Sequence, residues 1–192
     1  MYFLIIGYIA AKVNTKIKMF TLYLTNALLE YYSCFMKILI VCSSNICRSP
    51  FAEFYLRRLV NADNNLRKKI EWIKSGAVFN KSKQIFKKAV ISMRKEGFCE
   101  EEIKSHKPSF FWLDKQRFRD ADIIICMSKF HRYLLPIKYR KKTFTLSEVA
   151  INKYVKIPDP FLLKTQEEYN KAMEPIKNYI DIYFEKLKKE LS

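Results

Sequence analysis

A cysteine and an arginine stand six positions apart in the segment Cys42-Ser43-Ser44-Asn45-Ile46-Cys47-Arg48-Ser49. The planar guanidinium of an arginine can hold two oxygens of a phosphate group. A cysteine thiolate near such a positive charge is stabilised and becomes a strong nucleophile. The spacing therefore predicts a loop in which Cys42 attacks a phosphorus atom that Arg48 holds in place.

The elements on either side of this segment can hold it in the required shape. Residues 38–41 form a continuous apolar run, which is typical of a buried parallel strand. Residues 50–60 carry apolar side chains at helical spacing, and Ser49-Pro50 is a good helix start in which the serine can cap. A short loop between strand and helix can turn several N–H groups inward, and the helix N-terminus adds positive potential. The context favours an anion site more strongly than the bare motif does.

Further strands and helices alternate along the chain. We expect strands near residues 70–78, 123–127 and 143–146, and helices near 84–96, 109–118, 128–135 and 165–191. Gly97 is a suitable residue to end the helix at 84–96, and Pro175 is expected to bend the last helix. The alternation predicts an α/β fold, a four-stranded parallel sheet with helices on both faces, flavodoxin-like in architecture. Ligands of such folds bind at the carboxyl ends of the strands, where Cys42 lies.

A carboxyl group near the end of the chain could complete the chemistry. Breaking a phosphoester requires an acid that protonates the leaving oxygen. Asp159-Pro160 lies on a stretch stiffened by proline, and Asp159 could supply that proton if this stretch folds over the loop. An aspartate beside a proline is also common in plain turns.

Composition narrows the partners and the compartment. The formal charge is +17 over 192 residues, which favours acidic or phosphorylated partners. The basic residues are scattered and form no recognised nucleic-acid module, so nucleic acid is not an expected partner. The five cysteines show neither a disulfide framework nor zinc spacing, so we expect no zinc site and a reducing cytoplasmic compartment.

Residues 1–35 differ from the rest of the chain. Residues 2–11 are an apolar run too short to span a bilayer, and they lack the basic start of a secretory signal. Three interpretations stay open: an amphipathic membrane-surface anchor, a helix packed on the domain, or a segment upstream of a true start at Met36. The last is favoured over membrane contact, because the domain predicted for residues 36–192 needs nothing before Met36.

The stretch of residues 40–53, Ile-Val-Cys-Ser-Ser-Asn-Ile-Cys-Arg-Ser-Pro-Phe-Ala-Glu, resembles the signature of the low-molecular-weight protein tyrosine phosphatases. The resemblance extends over nearly all of residues 36–192 through matches at residues 74–76, 105–106, 122–127 and 159–161. It implies hydrolysis of phosphotyrosine and small aryl phosphates through a phosphocysteine intermediate, without a cofactor, by a monomer or weak dimer.

The resemblance also implies a role for individual residues. Cys42 would be the nucleophile, Arg48 would bind the phosphoryl group, and Asp159 would act as the general acid. Ser49 would donate a hydrogen bond to the Cys42 thiolate. Cys47 would be able to trap Cys42 as a reversible disulfide. The phosphate-binding loop, its supporting network and the pocket rim would further include Ser43, Ser44, Asn45, Ile46, Ser75, His106 and Phe161.

The sequence departs from the family pattern at several positions and leaves alternatives open. Ser44 replaces a usual glycine, and Ser128 replaces a usual aspartate. Arsenate reductases share the fold but need further resolving cysteines, for which Cys126 is poorly placed. Protein-arginine phosphatases carry threonine where this chain has Ile46, which favours phosphotyrosine. A non-catalytic phosphate-binding module is the remaining alternative.

Overall fold

The computed structural model describes residues 35–191, and the predictions for residues 1–34 lie outside this range. Four parallel strands form one sheet in the order β2-β1-β3-β4. Their bounds are Met36–Cys42 (β1), Ile70–Ala77 (β2), Ile123–Cys126 (β3) and Thr143–Thr145 (β4). The predicted α/β fold is confirmed.

Helices connect the strands and follow the last one. Within residues 35–191 their bounds are Arg48–Ala62 (α1), Leu66–Lys69 (α2), Lys87–Lys95 (α3), Glu100–Ser105 (α4), Lys115–Asp120 (α5), Lys129–Leu134 (α6), Ile137–Arg140 (α7), Leu146–Ile151 (α8) and Gln166–Glu190 (α9). No helix in this part of the chain is both long enough and apolar enough to cross a bilayer.

The apolar run of β1 is buried on both faces of the sheet. Alternate residues of a strand point to opposite faces. Ile38 and Ile40 accordingly belong to a large core with α1 and α9, whereas Leu39 and Val41 belong to a smaller core that includes Phe118 of α5. Helices therefore cover both faces, and β1 presents its carboxyl end between β2 and β3.

Helix α1 begins two positions earlier than the capping prediction requires. Its N-cap residue is Cys47, which makes no side-chain capping bond. Ser49 lies inside the first turn, so its predicted capping role is wrong, and its hydroxyl donates to the Cys42 Sγ at 3.0 Å instead. Pro50 also lies in this turn, where its missing N–H would have had no helical partner.

The predicted helix at 109–118 is wrong over most of its length, because α5 spans Lys115–Asp120. The preceding residues pair with the sheet: Ala77 donates its N–H to the Ser109 carbonyl at 2.7 Å, and Phe111 donates to the Ala77 carbonyl at 2.9 Å. Asp114 then caps α5 by accepting the N–H of Arg117. Sheet pairing, a non-local interaction, therefore overrides the local helical pattern.

Helix α3 ends at Lys95, and Gly97, with a φ of +84°, closes it as predicted. Gly97 and Phe98 donate their N–H groups to the carbonyls of Arg94 and Met93 at 2.9 and 3.1 Å, which is the paired closure expected at a glycine-terminated helix. Helix α9 is capped by Thr165 and Glu168 and contains Pro175.

Candidate active site

The segment from Ser43 to Cys47, here called the phosphate loop, runs from the end of β1 to the start of α1. It is tied to the chain after β2: Phe79 and Asn80 donate their N–H groups to the Ser43 carbonyl at 3.0 and 2.9 Å. On the other side, Phe86 donates its N–H to the Ile46 carbonyl at 3.1 Å. The loop is therefore held at both ends by backbone bonds that do not depend on its own side chains.

The sulfur of Cys42 is buried and accepts two hydrogen bonds. Cys42 is 3% exposed. Asn45 donates its backbone N–H to the Sγ atom at 3.3 Å, and Ser49 donates its hydroxyl at 3.0 Å. Helix α1, 15 residues long, begins directly after the phosphate loop, so its N-terminus adds positive potential at this end of the cavity. Cys42 is therefore placed at the base of an anion site, where a nucleophile would be needed.

Asn45 fixes the shape of the phosphate loop. It is fully buried and has a left-handed backbone with a φ of 57°. Its side-chain amide donates to the Oγ atoms of Ser49 and Ser75 at 3.0 and 2.7 Å, and its Oδ1 accepts the N–H of Ser109 at 2.9 Å. One side chain thus joins the loop to α1, to β2 and to the segment before α5.

The network continues from Ser75 to Glu53, and His106 lies beside it. Ser75 donates its hydroxyl to the Glu53 Oε2 at 2.5 Å. Burial raises the pKa of Glu53. The His106 Nδ1 lies 3.7 Å from the same Oε2, too far for a hydrogen bond. Burial, with the nearby charges of Arg117 and Arg57, lowers the pKa of His106 to about 4, so this histidine is neutral at physiological pH.

Arg48 and Asp159 meet across the site. The Arg48 Nη2 donates to the Asp159 Oδ2 at 2.6 Å. Arg48 is 5% exposed, and its buried Nε–H has no hydrogen-bond partner among the described residues, so it can donate to a bound anion. The Asp159 side chain is 54% exposed and accepts the N–H of Phe161 at 3.2 Å through Oδ1. The segment that carries Asp159 does fold over the phosphate loop.

A cavity of about 660 Å³ opens above the phosphate loop. Its apolar wall contains Phe79, Phe130 and Phe161. The rings of Phe79 and Phe130 lie 6.2 Å apart, edge to face, and Phe161 rests on Phe86 at 5.3 Å between centroids. The remaining lining residues are Cys42, Ser43, Ser44, Ile46, Cys47, Arg48, Asn80, Ser82, Ser128, His131, Tyr154, Lys156, Ile157 and Asp159.

The structure brings most of the predicted residues to this cavity and places the rest behind it. Phe161 lies at the rim, Asn45, Ser49 and Ser75 form the buried support, and the His106 side chain is buried next to Glu53. Sequence reasoning missed Phe79, Phe130 and His131. They follow β2 and β3, the strands beside β1, and carboxyl ends of adjacent parallel strands share one edge. That rule applied to β2 and β3 would have found them.

The family departures at Ser44 and Ser128 leave the site intact. Among non-glycine residues in the described part of the chain, only Asn45 and Asn152 have a positive φ, so Ser44 needs no glycine-like backbone. Its hydroxyl accepts a hydrogen bond from the Asn80 side chain at 3.1 Å. Ser128 is the N-cap of α6 and accepts the N–H of His131 at 3.4 Å.

Two other buried cysteines differ in their relation to the cavity. Cys47 lines it, and burial raises its pKa to about 12, so it is a thiol at neutral pH. Cys126 is in β3, donates to the Phe144 carbonyl at 3.3 Å, and also has its pKa raised to about 12 by burial. Within residues 35–191, Cys42 and Cys47 are the cysteines that line the cavity.

Comparison with known proteins agrees with this geometry. Residues 37–192 match the family model described as low molecular weight phosphotyrosine protein phosphatase. The chain belongs to this family. Membership confirms the family predicted from the sequence and its enzyme class, the cysteine-dependent phosphatases, and it implies phosphoprotein substrates.

Individual relatives cover the same part of the chain. The low molecular weight protein-tyrosine-phosphatase PtpB of Staphylococcus epidermidis is 29% identical over 128 residues, 66% of this chain and 81% of the relative. The protein-arginine-phosphatase of Bacillus subtilis is 25% identical over 131 residues, 66% and 80% of the two chains. The crystal structure of the low molecular weight protein tyrosine phosphatase from T. tengcongensis is 30% identical, with a TM-score of 0.66, covering 79% of this chain and 99% of that one.

Proposed function

We propose that this chain hydrolyses phosphotyrosine in proteins, with Cys42 as nucleophile, Arg48 as phosphate-binding residue and Asp159 as general acid. The observation that carries the proposal is the meeting of these groups in one cavity. The Cys42 sulfur accepts two hydrogen bonds at its base, and Arg48 contacts Asp159 at 2.6 Å at its wall.

The reaction would proceed in two steps. The Cys42 thiolate attacks phosphorus, the P–O bond to the tyrosine oxygen breaks, and Asp159 gives that oxygen a proton. A water molecule then attacks the phosphocysteine, Asp159 takes a proton from it, and inorganic phosphate leaves as the thiolate is restored. Arg48 and the phosphate-loop N–H groups stabilise the charge on the phosphoryl oxygens in both steps.

The wall of the cavity favours an aromatic substrate. Phe79, Phe130 and Phe161 offer ring faces and edges to a phenyl group, and aromatic pairs of this kind are attractive beyond their buried area. Ile46 adds an aliphatic contact where arginine phosphatases carry threonine. Phosphoarginine is the second candidate substrate, because the arginine phosphatase of Bacillus subtilis is among the relatives.

Partner and compartment stay predictions. The charge of +17 suits acidic phosphorylated segments, and no cofactor, metal or nucleic acid is expected. A monomer or weak dimer, a cytoplasmic location and a Cys42–Cys47 disulfide switch are likewise predicted. The domain boundary at Met36 is also a prediction, and membrane contact through residues 1–35 is not expected.

The test is hydrolysis of aryl phosphates by the full chain under reducing conditions. Cys42→Ser should abolish turnover, because an alcohol in this position is far less nucleophilic than a thiolate. Asp159→Asn should lower kcat by about 10²-fold or more. It should slow phenyl phosphate more than 4-nitrophenyl phosphate, since the poorer leaving group depends more on the acid.

Cys99→Ser is the matched control, because Cys99 is exposed and does not line the cavity, so its activity should equal that of the parent. A folded parent that releases no phosphate from any aryl ester would refute the proposal. If Asp159→Asn slows the turnover of both esters equally, Asp159 is not the general acid. Phosphotyrosine and phosphoarginine peptides of the same sequence then decide between the two substrates.

A further inference from the structure

His131 is a buried side chain of the cavity wall with a serine hydroxyl at each ring nitrogen. It is 2% exposed and lies in the first turn of α6, after β3. Its Nε2 is 2.9 Å from the Oγ of Ser43, the first residue of the phosphate loop, and its Nδ1 is 3.2 Å from the Ser128 Oγ. All three residues line the cavity that contains Cys42.

The local bonding favours one direction along this chain of groups. Ser128 already uses its oxygen as an acceptor, because it caps α6 by accepting the backbone N–H of His131. Its hydroxyl hydrogen is then best used as a donor to Nδ1. A neutral imidazole carries a single N–H, and with Nδ1 as acceptor this N–H is assigned to Nε2, from which it would donate to the Ser43 Oγ.

The assigned tautomer defines the part that Ser43 would play. With its oxygen accepting from His131, the hydroxyl hydrogen of Ser43 is left to be donated elsewhere. In the cavity the expected acceptors are the oxygens of a phosphoryl group above Cys42. A hydroxyl held in this way is already oriented, so it can donate one more charge-assisted hydrogen bond to the phosphoryl group without a further loss of rotational freedom.

We infer that His131 is a positioning residue that orients the Ser43 hydroxyl as a donor to the phosphoryl group of the substrate, with Ser128 setting the imidazole tautomer. The inference rests on the proposed function and adds a donor to the backbone nest and Arg48. The charge state agrees with it, because burial and the nearby Arg48 lower the pKa of His131 to about 3 and keep the ring neutral.

The experiment uses a matched pair of substitutions at position 131. The amide of His131→Gln reaches about as far as Nε2 and keeps a donor for Ser43. The shorter amide of His131→Asn reaches only as far as Nδ1, so it keeps the Ser128 contact and loses Ser43. These two variants, Ser43→Ala and the double variant Ser43→Ala/His131→Asn are compared in aryl phosphate kinetics and in calorimetric binding of inorganic phosphate.

We expect Ser43→Ala and His131→Asn each to lower kcat/KM and to weaken phosphate binding by roughly 10-fold, the effect of one hydrogen bond to a charged group. The double variant should be no worse than either single variant, and His131→Gln should stay within about 3-fold of the parent. Thermal unfolding of each variant shows that the comparison is made between folded proteins.

If the fold-losses of the two single variants multiply in the double variant, the inference is wrong, because two residues that act through the same hydrogen bond cannot have independent effects. So would a Ser43→Ala variant equal to the parent, or a His131→Gln variant no better than His131→Asn. An inactive parent would refute the proposed function instead, and the phosphate-binding comparison of the same four variants would then decide this inference alone.

Discussion

At the scale of single residues, Ile46 is the position at which substrate preference is best tested. Its half-buried aliphatic side chain lines the cavity between Asn45 and Cys47, which are both buried. A threonine there would present a hydroxyl that can bond the N–H groups of a phosphoarginine. An isoleucine offers only an apolar surface, which suits a phenyl ring.

We therefore expect Ile46→Thr to raise the ratio of kcat/KM for phosphoarginine to that for phosphotyrosine by about 10-fold, the worth of one added hydrogen bond. Paired peptides that differ only in the phosphorylated residue give the ratio. Ile46→Val is the matched control, because valine has the shape of threonine without its hydroxyl. If valine and threonine shift the ratio equally, side-chain volume and not hydrogen bonding sets the preference.

At the scale of elements, Asn45 joins the phosphate loop to three neighbouring segments. Its three side-chain hydrogen bonds are buried, and its φ of 57° is unfavourable for most residues. Asn45→Ala should lower the free energy of unfolding by about 3 kcal/mol. Its buried partners lose their hydrogen bonds, and alanine adopts the left-handed backbone conformation less readily than asparagine does. Asn45→Gly should recover about 1 kcal/mol of this loss, because glycine removes only the backbone cost.

Asn152 provides the matched control in the same molecule. It ends α8 with a φ of 56° but is exposed, and among the described residues its side chain hydrogen-bonds only with Lys186. Asn152→Ala should therefore cost about 1 kcal/mol, close to the backbone term alone. Urea unfolding measures all three variants. An Asn45→Ala variant no less stable than Asn152→Ala would mean that the buried bonds of Asn45 do not hold the loop.

The same scale shows where sequence reasoning succeeds and where it stops. The strand at 38–41, its loop and the following helix are adjacent in sequence, so their apolar spacing and the Cys42 to Arg48 interval predict the centre of the site. Phe79 and His131 come from segments 37 and 89 residues after Cys42 in the printed sequence. Their placement depends on the order of the strands in the sheet, which local patterns do not encode.

The sequence patterns also do not predict some of the short helices. Helices α4 and α8 are each six residues long, too short for an apolar period to be seen. The capping pattern of Thr145 and Glu148 was a usable signal for α8, as Thr165 and Glu168 are for α9. Helix α4 has no side-chain cap, and its contacts are non-local: Ile103 is buried in the large core and Glu102 pairs with Arg57 of α1.

At the scale of the whole molecule, the two histidines link stability to pH. Burial lowers the pKa of His106 to about 4 and that of His131 to about 3, whereas both are near 6.5 in an unfolded chain. Between pH 6.5 and 4 the unfolded state binds protons that the folded state does not. Stability is therefore fully present above pH 6.5 and falls as the pH is lowered through this window.

Each histidine should cost about 2 kcal/mol of stability at pH 5 relative to pH 7.5. Glu53 opposes the His106 effect, because burial raises the pKa of this neighbouring carboxyl and favours its uptake of a proton in the folded state. His131 is the cleaner probe, since the charged group that influences it is Arg48, which stays protonated throughout.

His131→Gln should therefore flatten the pH dependence. The parent should lose about 2 kcal/mol more than this variant between pH 7.5 and 5, because glutamine takes up no proton in either state. Urea unfolding at half-unit pH steps gives both curves, and their difference should have the slope of one proton below pH 6.5. Parallel curves would mean that His131 is protonated as easily in the folded protein as in the unfolded chain, which its burial between Ser43 and Ser128 should prevent.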